Sequence, residues 1–161
     1  QGNGDVGRLR ISADDRHVVF ASASTNLDGV GMPGIFVHDR ANGQTTRASW
    51  SVGLAPIDGQ RPTISGNGRL VCFKGGSEYL YESSRSVFVY DRQTNAVGLA
   101  SVNSLGEPAN DTIDDPDISA DGRFVAFSSV ATNLVSGDTN LVADVFVHDL
   151  DIECNDNINQ R

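Results

Sequence analysis

Three side-chain oxygens stand close together in Asn133-Leu-Val-Ser-Gly-Asp138-Thr-Asn140-Leu-Val-Ala-Asp144: those of Asp138, Asn140 and Asp144, with the backbone carbonyl of Val142 between them. Oxygen donors at that spacing suit a hard cation, calcium above all. The glycine that follows the ligands of a helix-loop-helix calcium loop is missing, and an Asp/Asn-rich loop also closes on itself through side-chain to backbone bonds. A second group, Asp111, Asp114, Asp115 and Asp117, lies just upstream. Paired carboxylates do general acid/base work or bind a cation or a sugar, and they also make plain solvated acidic faces.

Other chemistry is thin. Gly29-Val-Gly-Met-Pro-Gly34 has the spacing of a dinucleotide fingerprint, but that motif needs a helix starting at the glycines, and here Pro33 and a strand pattern follow. There is no Gly-x-Ser-x-Gly elbow, His-Glu-x-x-His pair or phosphate loop. Asn110-Asp111-Thr112 is a glycosylation sequon that matters only in a eukaryotic secretory route. Cys72 and Cys154 lack zinc-ligand spacing and are too few for a disulfide framework, so they leave the compartment open, the cytoplasm included.

The elements that would position these residues repeat. Ile11-Ser-Ala-Asp-Asp-Arg-His-Val-Val-Phe20 returns as Ile64-Ser-Gly-Asn-Gly-Arg-Leu-Val-Cys-Phe73 and as Ile118-Ser-Ala-Asp-Gly-Arg-Phe-Val-Ala-Phe127. Each copy is followed by a second landmark, at Ile35 to Asp39, Val87 to Asp91 and Val145 to Asp149. Each unit reads as short antiparallel strands. One ends in the Ile-Ser pair, and a tight turn leads to a second whose Val and Phe alternate with period two. Asn67-Gly68 and Asp121-Gly122 suit a turn needing positive φ, whereas Asp14-Asp15 lacks the glycine and should be slightly strained. The third strand carries His38, Tyr90 or His148 at one equivalent position, so these are repeat residues rather than catalysts. The Asp after each of them should close the next turn through its carboxylate. Ser12, Ser65 and Ser119 are equivalent too, which argues against a unique nucleophile. A fourth strand follows at 45–49 and 97–102. Four antiparallel strands in about 50 residues describe a propeller blade.

The Ser-Ala-Asp-Gly-Arg-Phe-Val-Ala-Phe and Asp-Val-Phe-Val-His-Asp elements resemble the WD-type β-propeller repeats of the bacterial Tol-system periplasmic propeller and its secreted relatives. The resemblance covers residues 8 to about 150. It implies an all-β chain of propeller blades and a periplasmic or secreted location, and says little about activity, because this repeat serves as a scaffold in peptidases and binding proteins alike.

The 161 residues make one domain, with blades expected at 8–52, 61–103 and 115–150 and an irregular tail over 151–161. Seventeen Gly, 17 Asp and 16 Ser against one Lys and four Glu favour turns over surface helices. Net charge is -9, and residues 111–161 hold eleven acids and two Arg, so nucleic acid is repelled. No apolar run is long enough to span a bilayer. No leader is visible from Gln1 onward; one removed by processing would leave no trace. Three units cannot close a ring, and the third lacks a credible fourth strand. The chain is therefore an excerpt of a longer propeller, half of a six-bladed ring made by two copies, or an open array. Self-association is the expectation, since an open blade exposes apolar surface and a strand edge. Two function classes follow: a non-catalytic scaffold binding a protein partner or its own copy, and an enzyme or enzyme part acting on a glycan or peptide through the acidic loops. A calcium-stabilised secreted module is a variant of either.

Overall fold

The computed structural model describes residues 1–50, 55–76 and 86–150 of the chain. Those residues hold eleven strands: β1 (Val6–Ile11), β2 (His17–Ser22), β3 (Gly34–Asp39), β4 (Gln44–Arg47), β5 (Gly59–Ile64), β6 (Leu70–Gly75), β7 (Ser86–Asp91), β8 (Val97–Leu99), β9 (Ile113–Ile118), β10 (Phe124–Ser129) and β11 (Asp144–Asp149). They form three antiparallel meanders, β1-β2-β3-β4, β5-β6-β7-β8 and β9-β10-β11. A fourth strand of the third sheet would fall on residues 151–161, which lie outside the described residues, as does Cys154.

The repeat is exact in register. Val18 pairs with His38, Val71 with Tyr90 and Val125 with His148, so the landmarks superpose blade on blade. The first turn of each blade explains why Ser and Asp or Asn recur. The hydroxyl of Ser12, Ser65 or Ser119 accepts the amide of His17, Leu70 or Phe124 at 2.9 Å. It donates to Asp14, Asn67 or Asp121, whose side chain accepts the amide two residues on. Asp15, Gly68 and Gly122 all stand at positive φ, 58°, 72° and 79°, so Asp15 carries the strain its missing glycine implied. Each first strand also bulges, and Arg61 and Asp115 occupy their bulges at φ of 52° and 47°.

Two further devices tie strands together. Arg16, Arg69 and Arg123 each fork onto the aspartate ending the third strand, Asp39, Asp91 and Asp149, with shortest contacts of 2.7, 2.6 and 2.7 Å. Asp39 and Asp91 also accept the amides of Ala41 and Gln93, closing the next turn as expected. In the first and third blades an asparagine preceding the first strand clamps the loop after the second: Asn3 exchanges bonds with Thr25 and Asn26, and Asn110 with Thr132 and Asn133, at 2.9–3.1 Å.

The blades pack face to face, giving two cores. Val19, Ile35 and Val37 of the first blade meet Ile64, Val71, Phe73, Phe88 and Tyr90 of the second. Cys72, Val87 and Val89 on the other side of the second blade meet Ile118, Val125, Phe127 and Phe146 of the third. Backbone bonds stitch the first turns together at both junctions, Asp14 N to Gly66 O at 3.1 Å and Gly66 N to Ala120 O at 2.8 Å.

Candidate functional site

The acidic group upstream of β9 does not act as a unit. Asp114 and Asp115 turn inward, to where the first strands of the three blades converge, and meet cations there. Asp114 accepts from Arg61 Nε at 3.1 Å and Lys74 Nζ at 3.2 Å. Asp115 pairs with Arg61 and lies 3.5 Å from Arg8. Arg8, Arg61 and Asp115 are one repeat position, so the cluster is a three-way meeting of the bulges. The other two stay local: Asp111 accepts the amide of Thr112 and Asp117 that of Ile118. A mixed-charge cluster of this kind can orient a polar ligand, but its carboxylates are neutralised by neighbours rather than set against each other as an acid and a base.

In the loop between β10 and β11, Asp138, Asn140 and Asp144 do come together, through their own hydrogen bonds. Asn140 Nδ2 donates to Asp144 Oδ2 at 2.9 Å, the amide of Val142 donates to Asn140 Oδ1 at 3.0 Å, and that of Asn140 to Asp138 at 3.4 Å. Among the described residues no group of three or more His, Cys, Asp or Glu side chains could hold a metal. The corresponding segment of the second unit lies at 77–85, outside the described residues.

The remaining reactive side chains serve the repeat. His38 shares a hydrogen bond with Thr45 at 3.0 Å, and Tyr90 at the same position donates to Asn95 at 2.7 Å. Burial lowers the pKa of His148 and, with help from Arg92, that of His17. Cys72 fills a core position equivalent to Val19 and Ala126, and burial pushes its thiol far above the ordinary range. Arg16 holds the Asp39 carboxyl far below its usual value. The glycines at 29 and 31 sit in a turn ahead of β3, so the dinucleotide spacing is coincidental. The Nδ2 of the sequon residue Asn110 is already donated to Thr132.

Sequence reasoning missed the Arg-Asp latch and the asparagine clamp. Both were visible as recurrences. An Arg follows every first turn with an Asp 22 to 26 residues on, and Thr-Asn-Leu occurs at 25–27 and again at 132–134.

Apolar side chains stand exposed on both outer faces of the described blades. On the outer side of the first blade, Leu9 is 55% and Ile11 50% exposed, and on the far side of the third blade Val145 is 77% and Val147 65% exposed. Arg47 partly closes the first of these faces: it lies 4.8 Å over the Phe36 ring, pairs with Asp28 and donates to the carbonyls of Met32 and Pro33.

No family model matches the chain, and no curated protein does. Among solved structures it is similar to TolB from Acinetobacter baumannii, with 16% identity and a TM-score of 0.59 over 92% of this chain and 31% of that one. The β-propeller domain of the trilobed protease from Pyrococcus furiosus, described as having an open velcro topology, matches at 13% identity and a TM-score of 0.57, over 92% of this chain and 41% of that one. The tricorn protease matches at 18% identity and a TM-score of 0.54, over 91% of this chain and 13% of that one. The chain thus spans less than half the length of each. At such identities the likeness is one of fold: the described residues form blades of a β-propeller.

Proposed function

We propose that this chain is a non-catalytic propeller scaffold that holds protein surfaces, its own copy included, through its blade faces. The observation that carries this reading is the repetition of its reactive side chains. Ser12, Ser65 and Ser119, and the aspartates Asp39, Asp91 and Asp149, each recur three times and each is engaged in a turn or a latch. Of the unrepeated carboxylates, Asp114 and Asp115 are bound by Arg61 and Lys74. Apolar side chains, by contrast, stand exposed on both outer blade faces, at Leu9, Ile11, Val145 and Val147, as they do at interaction surfaces. The net charge of -9 disfavours nucleic acid as the partner. The likeness to TolB supports a periplasmic or secreted location. No described helix is long and apolar enough to cross a membrane.

Hydrolysis of peptide and glycoside substrates, compared between the wild type and the Asp114→Asn/Asp115→Asn double variant, tests the reading. No turnover by either is expected. Turnover that disappears in the double variant would establish the enzyme instead.

A further inference from the structure

The two internal junctions are built alike except at one position. In each, the first residue of a blade's second strand leans on the glycine turn of the next blade, His17 on Gly68 and Leu70 on Gly122. A Cβ added to Gly68 would overlap the imidazole, and one added to Gly122 would lie 3.0 Å from Leu70 Cδ1. Beside each contact one backbone bond joins the blades: the amide of Asp14 donates to the Gly66 carbonyl at 3.1 Å, and the amide of Gly66 donates to the Ala120 carbonyl at 2.8 Å. The first junction therefore closes on an ionisable ring and the second on a hydrocarbon.

The ring is housed as a neutral one. Its Nδ1 is buried without a hydrogen-bond partner and lies against Gly68 where a side chain would start, a place that suits a lone pair and rejects an N–H. The ring's own proton then belongs on Nε2, 3.9 Å from Asp39 Oδ2. A second proton would go to Nδ1, whose carboxylate neighbour, Asp14 Oδ2, stands 3.7 Å away, beyond hydrogen-bond reach. Both carboxylates are already engaged: Asp39 is forked by Arg16, and Asp14 accepts from the Ser12 hydroxyl and the Arg16 amide. The second blade brings a further cation, Arg92, which donates to the Gly68 carbonyl at 2.6 Å. Two Asp and two Arg thus surround His17, so a proton added there loses its water and finds no net countercharge. Burial first, and Arg92 next, lower the pKa of the ring accordingly.

We propose that the first junction is a proton-sensitive joint: a proton on His17 drives the ring off Gly68 toward Asp14 and loosens the first blade from the second, while the junction built on Leu70 stays shut. The joint does not rest on the scaffold reading. Its direction follows from linkage. Opened, the ring titrates as an ordinary imidazole near about pH 6.5, and closed it binds the proton less well, so opening grows as pH falls through that range. The Asp39 and Asp91 latches add nothing there, because both carboxyls are held below their usual value and stay ionised.

Amide hydrogen exchange of the folded chain, followed by NMR from about pH 7.5 to about pH 5 and corrected for intrinsic rates, reads the two interblade bonds separately. Protection of the Asp14 amide is expected to fall several-fold toward the acid end, and that of Gly66 to hold. The ring protons of His17, in the same spectra, should titrate over the interval in which Asp14 protection is lost. His17→Leu, which copies the second junction, should keep Asp14 protection constant with pH. Constant Asp14 protection in the wild type overturns the joint. So does a fall shared equally by Asp14 and Gly66, which would mean global unfolding, a fall that persists in His17→Leu, or one that does not track the His17 titration.

Discussion

Val87-Phe-Val89 in the second blade and Val145-Phe-Val147 in the third are the same tripeptide on the same strand of the repeat, in opposite surroundings. Val87 and Val89 are 0% and 8% exposed, covered by the next blade, while the third-blade pair faces outward. The phenylalanine of each still stacks on its cross-strand partner, Phe73 on Phe88 at 5.5 Å and Phe127 on Phe146 at 5.8 Å. Inside a blade, then, pairing and stacking depend only on the local sequence. Between blades, burial depends on whether a neighbour is present, and this drives the assembly of any such array.

The comparison is sharpest at these valines. Val87→Asp places an unpaired carboxylate in the second core and is expected to cost about 4 kcal/mol or more, enough to unfold the chain, whereas Val145→Asp should stay within about 0.5 kcal/mol. Urea unfolding curves would show it, and equal costs would mean that the third-blade face is covered in solution at the concentration used.

The turns come next. Gly68→Val must take an unfavourable φ and also drive a Cβ into His17, an expected loss of about 2–3 kcal/mol. Asp15→Gly relieves the strain of a positive φ on a residue with a Cβ, for a gain of about 0.5 kcal/mol in thermal denaturation. Equal Tm values for wild type and both variants would break the alignment of the three turns.

A smaller effect separates the two internal junctions. His17 is buried with no hydrogen-bond partner for Nδ1, where the second junction has Leu70. Its pKa is lowered by burial, so the folded state binds fewer protons than the unfolded one, and stability falls as pH drops below about 6.5 toward the folded value. Asp39 and Asp91 lose their latches only at more acid pH, since their pKa values are depressed in the fold. His17→Leu is expected to raise stability by about 1 kcal/mol and to flatten the profile just below about pH 6.5 while leaving the more acid limb. An unchanged profile in that window would assign the acid sensitivity elsewhere.

The smallest effect is expected in the loop before β11. With both side-chain atoms of Asn140 already bonded within the loop, millimolar calcium should move Tm by no more than about 1 °C. A larger rise that Asp138→Ala abolishes would establish a cation site at Asp138, Asn140 and Asp144.

Much of the blade was legible in the chain because the repeat states its own register. Three copies of Ile-Ser and of Phe-Val-x-Asp fixed which residues are equivalent, and with that removed His38, His148 and the three serines from the list of catalysts. The bulges were not legible: Arg61 and Asp115 take positive φ without a glycine to announce it, and so the meeting of Arg8, Arg61 and Lys74 with Asp114 and Asp115 was hidden. Residues 53 and 54 apart have no spacing that relates them until the blades are stacked.

The sequence by itself determined strand identity, turn chemistry and the two-sided patterning of each blade, because these rest on contacts a few residues apart or across one hairpin. The tertiary structure alone decided which of two identical patterns becomes core and which stays surface, and that Asp114 and Asp115 find cations instead of one another. These outcomes depend on which blade lies against which, and therefore on distances no local pattern encodes.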